Sequence, residues 1–208
     1  MRTHVPTFIR VMDPELTIKS ILAGVTLEEI ADLLYENSSL RGFLQGFVAE
    51  RRLSQWLLTF PEIECVDKIP DQSEEKGDLR VTYKGEIIRI ELKSIATDSV
   101  RHDILNDTWQ GKVRTKATDR RDIEVEGVGI IRTSCLIKGE FDILAISTLA
   151  VDGQWTYMFM DSAFLPETAN PGLIQTSFTL NPLTTPGAQA DPIKVFDAIL
   201  AKKRAKIA

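Results

Sequence analysis

The spacing of hydrophobic and polar positions changes several times along the chain, and each change predicts an element. Leu27, Ile30, Ala31 and Leu34 recur every three or four residues, which predicts a helix over 27 to about 35. Thr26 and Glu29 fit a capping box at its start. Asp13-Pro14 suits the first turn of a shorter helix running to about Ala23 and ended by Gly24. A longer helix is expected over 39 to 59, with Leu40, Phe43, Leu44, Phe47, Leu53, Trp56 and Leu57 in its apolar stripe and Pro61 closing it. Glu50 lies on this helix, four residues beyond Gly46. The pair of helices before it could be taken for a helix-turn-helix. Only Arg41 would be basic at its reading end, so a supporting helical layer is the better account.

From residue 63 the period shortens to two. Residues 63–69 predict a strand, and residues 70–76 a polar loop. Residues 77–93 then read as two strands joined at Lys84-Gly85. Side chains alternate across a strand. Ile87, Arg89, Glu91 and Lys93 therefore share one face, and Ile88, Ile90 and Leu92 share the other. Residues 96–109 carry a helix-like spacing of Val100, Ile104, Leu105 and Trp109. Residues 127–136, 141–149 and 155–160 are strand candidates, and 141–147 is apolar enough for a central strand covered on both faces. The stretch 166–192 is rich in Pro, Thr, Asn and Gly and offers only an edge strand at 173–180. Asp191-Pro192 caps a last helix whose end, Lys202-Lys203-Arg204, complements the helix dipole. This order predicts an α/β (α+β) fold: a mixed central sheet of about five or six strands flanked by helices. The expected division is a helical segment over 1–38 packed on a domain over 39–208.

Composition narrows the picture. The 208 residues are 43% hydrophobic and 26% charged, as in an ordinary globular domain. No apolar run reaches the ~18 residues of a membrane span, and residues 1–6 lack a signal-peptide core. Cys65 and Cys135 lack metal-ligand spacing and read as two buried reduced thiols, which fits a cytoplasmic protein. His4 and His102 read as surface residues, and Trp109 and Trp155 as core residues. The net charge of −5 excludes a general polycation, so any nucleic-acid surface must be local. The segment 111–121 supplies one, with Lys112, Arg114, Lys116, Arg120 and Arg121 against the single acid Asp119. As a strand it would align Lys112, Arg114 and Lys116 on one face. Arg120 and Arg121 could contact phosphates or read guanine.

The chemistry concentrates on the hairpin. Asp78 opens its first strand, and Glu91 and Lys93 close its second. Two carboxylates beside an ammonium make a hard-cation site suited to attack on a phosphodiester. Asp78, twelve residues, then Glu91-Leu92-Lys93 resembles the signature of the PD-(D/E)XK nuclease superfamily, which includes most type II restriction endonucleases. Glu50 resembles the additional acid that many members carry on the preceding helix. The resemblance covers roughly residues 40–160. It departs from the family name in one place, because Gly77 rather than a proline precedes Asp78. A literal Pro70-Asp71 lies upstream in the polar loop, so Asp71 is the competing first ligand.

The resemblance implies a restriction-endonuclease-like core in a prokaryotic, cytoplasmic enzyme that cleaves double-stranded DNA as a homodimer. Mg²⁺, with Mn²⁺ able to substitute, would be held by Asp78, Glu91 and the backbone carbonyl of Leu92, and Glu50 could take a second metal or hold a metal-bound water. Lys93 would orient or help deprotonate the attacking water and offset transition-state charge. A sequence-specific type II restriction enzyme fits this best. A structure-specific or repair nuclease of the same fold, and a non-catalytic DNA-binding module retaining it, are the alternatives.

Overall fold

The computed structural model describes residues 20, 23–70, 73–117, 119–125 and 128–205. The helix expected from Asp13-Pro14 lies almost wholly outside them, as do His4 and Asp71. The chain divides into two compact units between Leu44 and Gln45.

In the N-terminal unit, helix α1 spans Leu27–Glu36. The Glu29 amide donates to Thr26 Oγ1 at 3.1 Å, and the Thr26 amide donates to Glu29 Oε2 at 2.8 Å. This is the capping box expected from the sequence, and it satisfies two amides that the first turn would otherwise leave unpaired. Helix α2, Ser38–Leu57, starts in this unit and continues into the second.

The larger unit is built on a five-stranded sheet in the order β1-β2-β3-β8-β9. Its strands are β1 (Ile63–Lys68), β2 (Leu79–Tyr83), β3 (Glu86–Ser94), β8 (Ile143–Ser147) and β9 (Tyr157–Asp161). Neighbours run antiparallel except β3 and β8, which run parallel. The sheet is therefore mixed, as the pattern predicts. Between β3 and β8 the chain forms β4 (Arg101–Asp103), β5 (Thr108–Arg114), β6 (Arg121–Val125) and β7 (Gly129–Thr133). A short helix α3, Leu149–Asp152, precedes β9; β10 (Ser177–Leu180) and helix α4 (Pro192–Ala205) follow it. β10, β5 and β4 form a second, three-stranded sheet, and β6 and β7 form a hairpin of their own.

Two apolar layers fix the position of β3. On one face of the sheet, Leu53 and Leu57 of α2 and Phe196 and Ile199 of α4 pack against Val81, Ile88, Ile90, Ile143 and Phe159. On the other, Leu144, Ile146, Met158 and Met160 pack with Val113, Leu165, Ile174 and Leu180. β8 is buried throughout, which explains its unbroken apolar sequence. At the opening of β8, Asp142 Oδ2 accepts the Arg89 amide at 2.8 Å and the Lys203 ammonium at 2.9 Å. This clamps α4 and β8 to β3.

Two expectations need correction. Residues 96–109 are not helical. They form a 3₁₀ turn at Thr97–Ser99, then β4, a tight turn and the start of β5. The apolar spacing there is misleading because Ile104 and Leu105 sit exposed on that turn, while Val100 and Trp109 pack inward. Cys65 is half-buried rather than buried; Cys135 is buried, as expected.

Candidate active site

Asp78 immediately precedes β2 and is fixed through both its backbone and its side chain. Its amide donates to the Ile90 carbonyl at 2.7 Å, and its own carbonyl accepts the Ile69 amide at 2.9 Å. Its Oδ2 accepts the Leu92 amide at 2.6 Å, a charge-assisted bond. The Asp78 carboxylate therefore caps the segment between Glu91 and Lys93. Gly77 explains the missing proline: its φ is +101°, which proline cannot adopt, and a Cβ would lie 3.1 Å from the Ile90 carbonyl oxygen.

Glu91 and Lys93 project from β3 on the same face, opposite Leu144 and Ile146 of β8. Lys93 Nζ lies 2.6 Å from Glu91 Oε1. Glu91 is only 8% exposed. Burial pushes its carboxyl up from the ordinary range; Lys93 opposes the rise, and Asp78 and Glu140 add to it. For Lys93, burial pulls the ammonium down, but the carboxylates of Glu91, Asp78 and Glu50 outweigh it and leave the group raised. The three predicted carboxylates thus all act on Lys93, although they come from α2, the approach to β2, and β3.

Glu50, on α2, pairs with Lys68 at the end of β1 at 2.9 Å, and the Lys68 ammonium also lies 4.6 Å from the centre of the Phe47 ring. A cavity of about 360 Å³ opens beside them, lined by Glu50, Arg51, Ser54, Gln55 and Leu79 as well as Phe47 and Lys68. Among the described residues, no three His, Cys, Asp or Glu side chains come together tightly enough to hold one ion. The donor set nevertheless fits Mg²⁺, which favours oxygen and keeps several waters while binding through one or two carboxylates. Asp78 and the buried Glu91 repel each other, and a divalent cation would relieve that repulsion.

The basic segment is a strand for part of its length, the end of β5. Lys112 and Arg114 of β5, and Lys116 just beyond it, are exposed, while Gly111, Val113 and Thr115 between them are buried. Arg114 lies 3.9 Å from Asp98 at the surface. Arg120 is exposed, but Arg121 opens β6 with its guanidinium bound to both carboxylate oxygens of Glu140. His102 is exposed on β4. Sequence reasoning missed Lys68, which holds Glu50, and Glu140, which acts on Glu91. Both reach the site from distant positions in the chain, and no local spacing marks them.

No protein-family model matches the sequence, and no curated protein matches it. Among solved structures the chain is similar to a bacterial homing endonuclease, with a TM-score of 0.42 and 16% identity, over 79% of this chain and 97% of that one. Similarity at this level does not define an activity. Among the described residues, no helix is long and apolar enough to cross a membrane.

Proposed function

We propose that this chain is a metal-dependent DNA endonuclease of the PD-(D/E)XK kind, acting as a sequence-specific restriction-type enzyme. One observation carries the reading: the Asp78 carboxylate is bound to the Leu92 amide, between Glu91 and Lys93, whose own side chains pair. A structural role alone would not call for two carboxylates and an ammonium beside one another where Glu91 is buried and Asp78 and Lys93 half-buried, since desolvation of each charge costs energy.

Asp78 and Glu91 present hard oxygens, and the Leu92 carbonyl completes the protein's share of the ligand set. Bound there, Mg²⁺, or Mn²⁺ in its place, would polarise the scissile phosphate and acidify water. Lys93 brings an ammonium to the same point, where it offsets the charge that develops on the phosphoryl oxygens. Glu50, anchored by Lys68, contributes to the field that keeps Lys93 cationic. Lys112, Arg114 and Lys116 form a phosphate-holding row, with Arg120 beyond it. Arg121 joins them only by exchanging Glu140 for DNA. Two copies on a two-fold axis would cut both strands of a palindromic site.

The test is incubation of plasmid DNA with the protein in the presence of Mg²⁺, in chelator, and with Lys93→Ala in place of the wild type. Cleavage that needs both the metal and Lys93 supports the reading. Wild-type protein that binds DNA but never cuts it identifies a non-catalytic module instead.

A further inference from the structure

Among the described residues of the second sheet, the β4–β5 hairpin is exposed along most of its length. Every residue from Arg101 to Asp107 is exposed. β10 pairs with β5 only over Gly111–Arg114, and β4 pairs with it on the other side over Thr108–Gln110. Beyond β10 the structure is therefore a bare two-stranded ribbon. Its tip carries Ile104 and Leu105, 91% and 97% exposed. The tip is nonetheless ordered chemically: the Asn106 amide side chain donates to Asp103 Oδ2 at 2.7 Å, and Asp107 turns the chain back at φ +47°.

The register assigns the faces. Arg101 lies opposite Gln110, and residues opposite each other in an antiparallel pair share a face. Alternation along β5 then puts Gln110, Lys112 and Arg114 on that same side. The opposite side carries Trp109 and Val113, which pack inward. From Arg101 and Gln110 to Arg114 this face carries hydrogen-bond donors and turns cationic toward its base, while Asp103 and Thr108 continue it toward the tip.

We infer that this ribbon enters the major groove of duplex DNA and that Arg101 and Gln110 are the residues that choose the sequence. The inference rests on the nuclease reading above and adds the element that recognises the substrate. A two-stranded ribbon fits the major groove, which is about 12 Å wide. From Gln110 to Arg114 the strand advances roughly 14 Å at about 3.4 Å per residue, enough to separate a base-contacting end from a phosphate-contacting end. Lys112 and Arg114 hold the backbone at the rim. Arg101 donates to the Val100 carbonyl at 2.8 Å and to the Asp98 carbonyl at 3.4 Å and, among the described residues, has no carboxylate partner, so its guanidinium can exchange these exposed bonds for a guanine edge. Gln110 has the paired donor and acceptor that match adenine. The carboxylates at the tip suit this placement: Asp103 is occupied by Asn106, and a tip bearing Asp107, Ile104 and Leu105 repels phosphates but can meet cytosine amino groups and thymine methyls.

The experiment is cleavage of a randomised duplex library, with cut sites read by sequencing, for wild type, Arg101→Ala, Gln110→Ala and Lys112→Ala. Arg101 and Gln110 are exposed, so their replacement leaves the fold intact. The expected result is a wild-type consensus in which each of the first two variants relaxes preference at its own position by on the order of tenfold, with the salt dependence of binding unchanged. Lys112→Ala keeps the consensus and flattens the salt dependence. An unchanged consensus in both ribbon variants overturns this inference alone, and a wild type that cuts without preference overturns it together with the sequence-specific part of the proposed function. A wild type that neither binds nor cuts duplex DNA overturns the nuclease reading and this inference with it.

Discussion

Replacing Asp78 with Asn separates the site's chemistry from its contribution to stability. The wild-type carboxylate accepts the Leu92 amide at 2.6 Å. A bond to a charged acceptor contributes about 1.5–3 kcal/mol, and the Asn carbonyl can still accept the same amide at about 0.5–1.5 kcal/mol. The loss is therefore about 1 kcal/mol. Against it stands the relief of repulsion, because Asp78 is one of the groups that raise the Glu91 carboxyl. The net change without metal stays within about 1 kcal/mol, or up to about 4 °C in Tm for a domain of this size. Mg²⁺ separates the two proteins. At about 10 mM ion and a dissociation constant near ~1 mM, binding to the folded state adds about 1.4 kcal/mol, a rise of about 3 to 6 °C. Thermal unfolding of both proteins in chelator and in Mg²⁺ measures this directly. Wild type should show the rise, and Asp78→Asn should lose it while unfolding near the wild-type temperature in chelator. An Asp78→Asn protein that keeps the full Mg²⁺-dependent rise would remove Asp78 from the ligand set.

Other perturbations test the supporting structure. Gly77→Ala places a Cβ at φ +101° and 3.1 Å from the Ile90 carbonyl oxygen, so it should cost about 1–3 kcal/mol in denaturant unfolding, and Gly77→Pro more; unchanged stability would contradict the account of the missing proline. The Tyr157 hydroxyl donates to the Ala49 carbonyl at 3.0 Å, so Tyr157→Phe should lose about 1 kcal/mol at neutral pH. Burial pushes Tyr157 up to about 12, so the folded protein keeps a proton that the unfolded chain releases above about pH 10. Wild-type stability should then fall between pH 10 and 12, and an equal fall in Tyr157→Phe would assign it to another group. Replacing Lys112, Arg114 and Lys116 together by Ala should flatten the slope of log affinity against log salt by about 2 to 3, and an unchanged slope would take the row out of the interface.

The sheet and its motif were legible because local signals and tertiary demands agree. Lys84-Gly85 turns the β2–β3 hairpin, with Lys84 at φ +50° and Gly85 at +78°. The alternation of Ile88, Ile90 and Leu92 fixes which face meets α2 and α4, and so fixes where Glu91 and Lys93 point. β8 was legible from its unbroken apolar run, and α1 from Thr26 and Glu29. The segment 96–109 was not, because a ribbon that packs on little else has no strong alternation, and its exposed Ile104 and Leu105 mimic a helical stripe. The β6–β7 hairpin gave a signal for only one of its strands. The partners of the site, Lys68 for Glu50 and Glu140 for Arg121, are set by tertiary placement and leave no mark in spacing. The choice between Asp78 and Asp71 could be argued from strand pairing, and the Asp78–Leu92 bond gives that argument its geometry.

The central claim is that Asp78, Glu91 and Lys93 together hydrolyse a phosphodiester bond. Single-turnover cleavage of duplex DNA in Mg²⁺, with wild type and Lys93→Ala compared at saturating protein and DNA affinity measured in parallel, tests it most directly. The account predicts a rate lower by roughly 100-fold or more in the variant, the usual loss when one group stabilising transition-state charge is removed, with affinity nearly unchanged. Equal cleavage rates for the two proteins would contradict it.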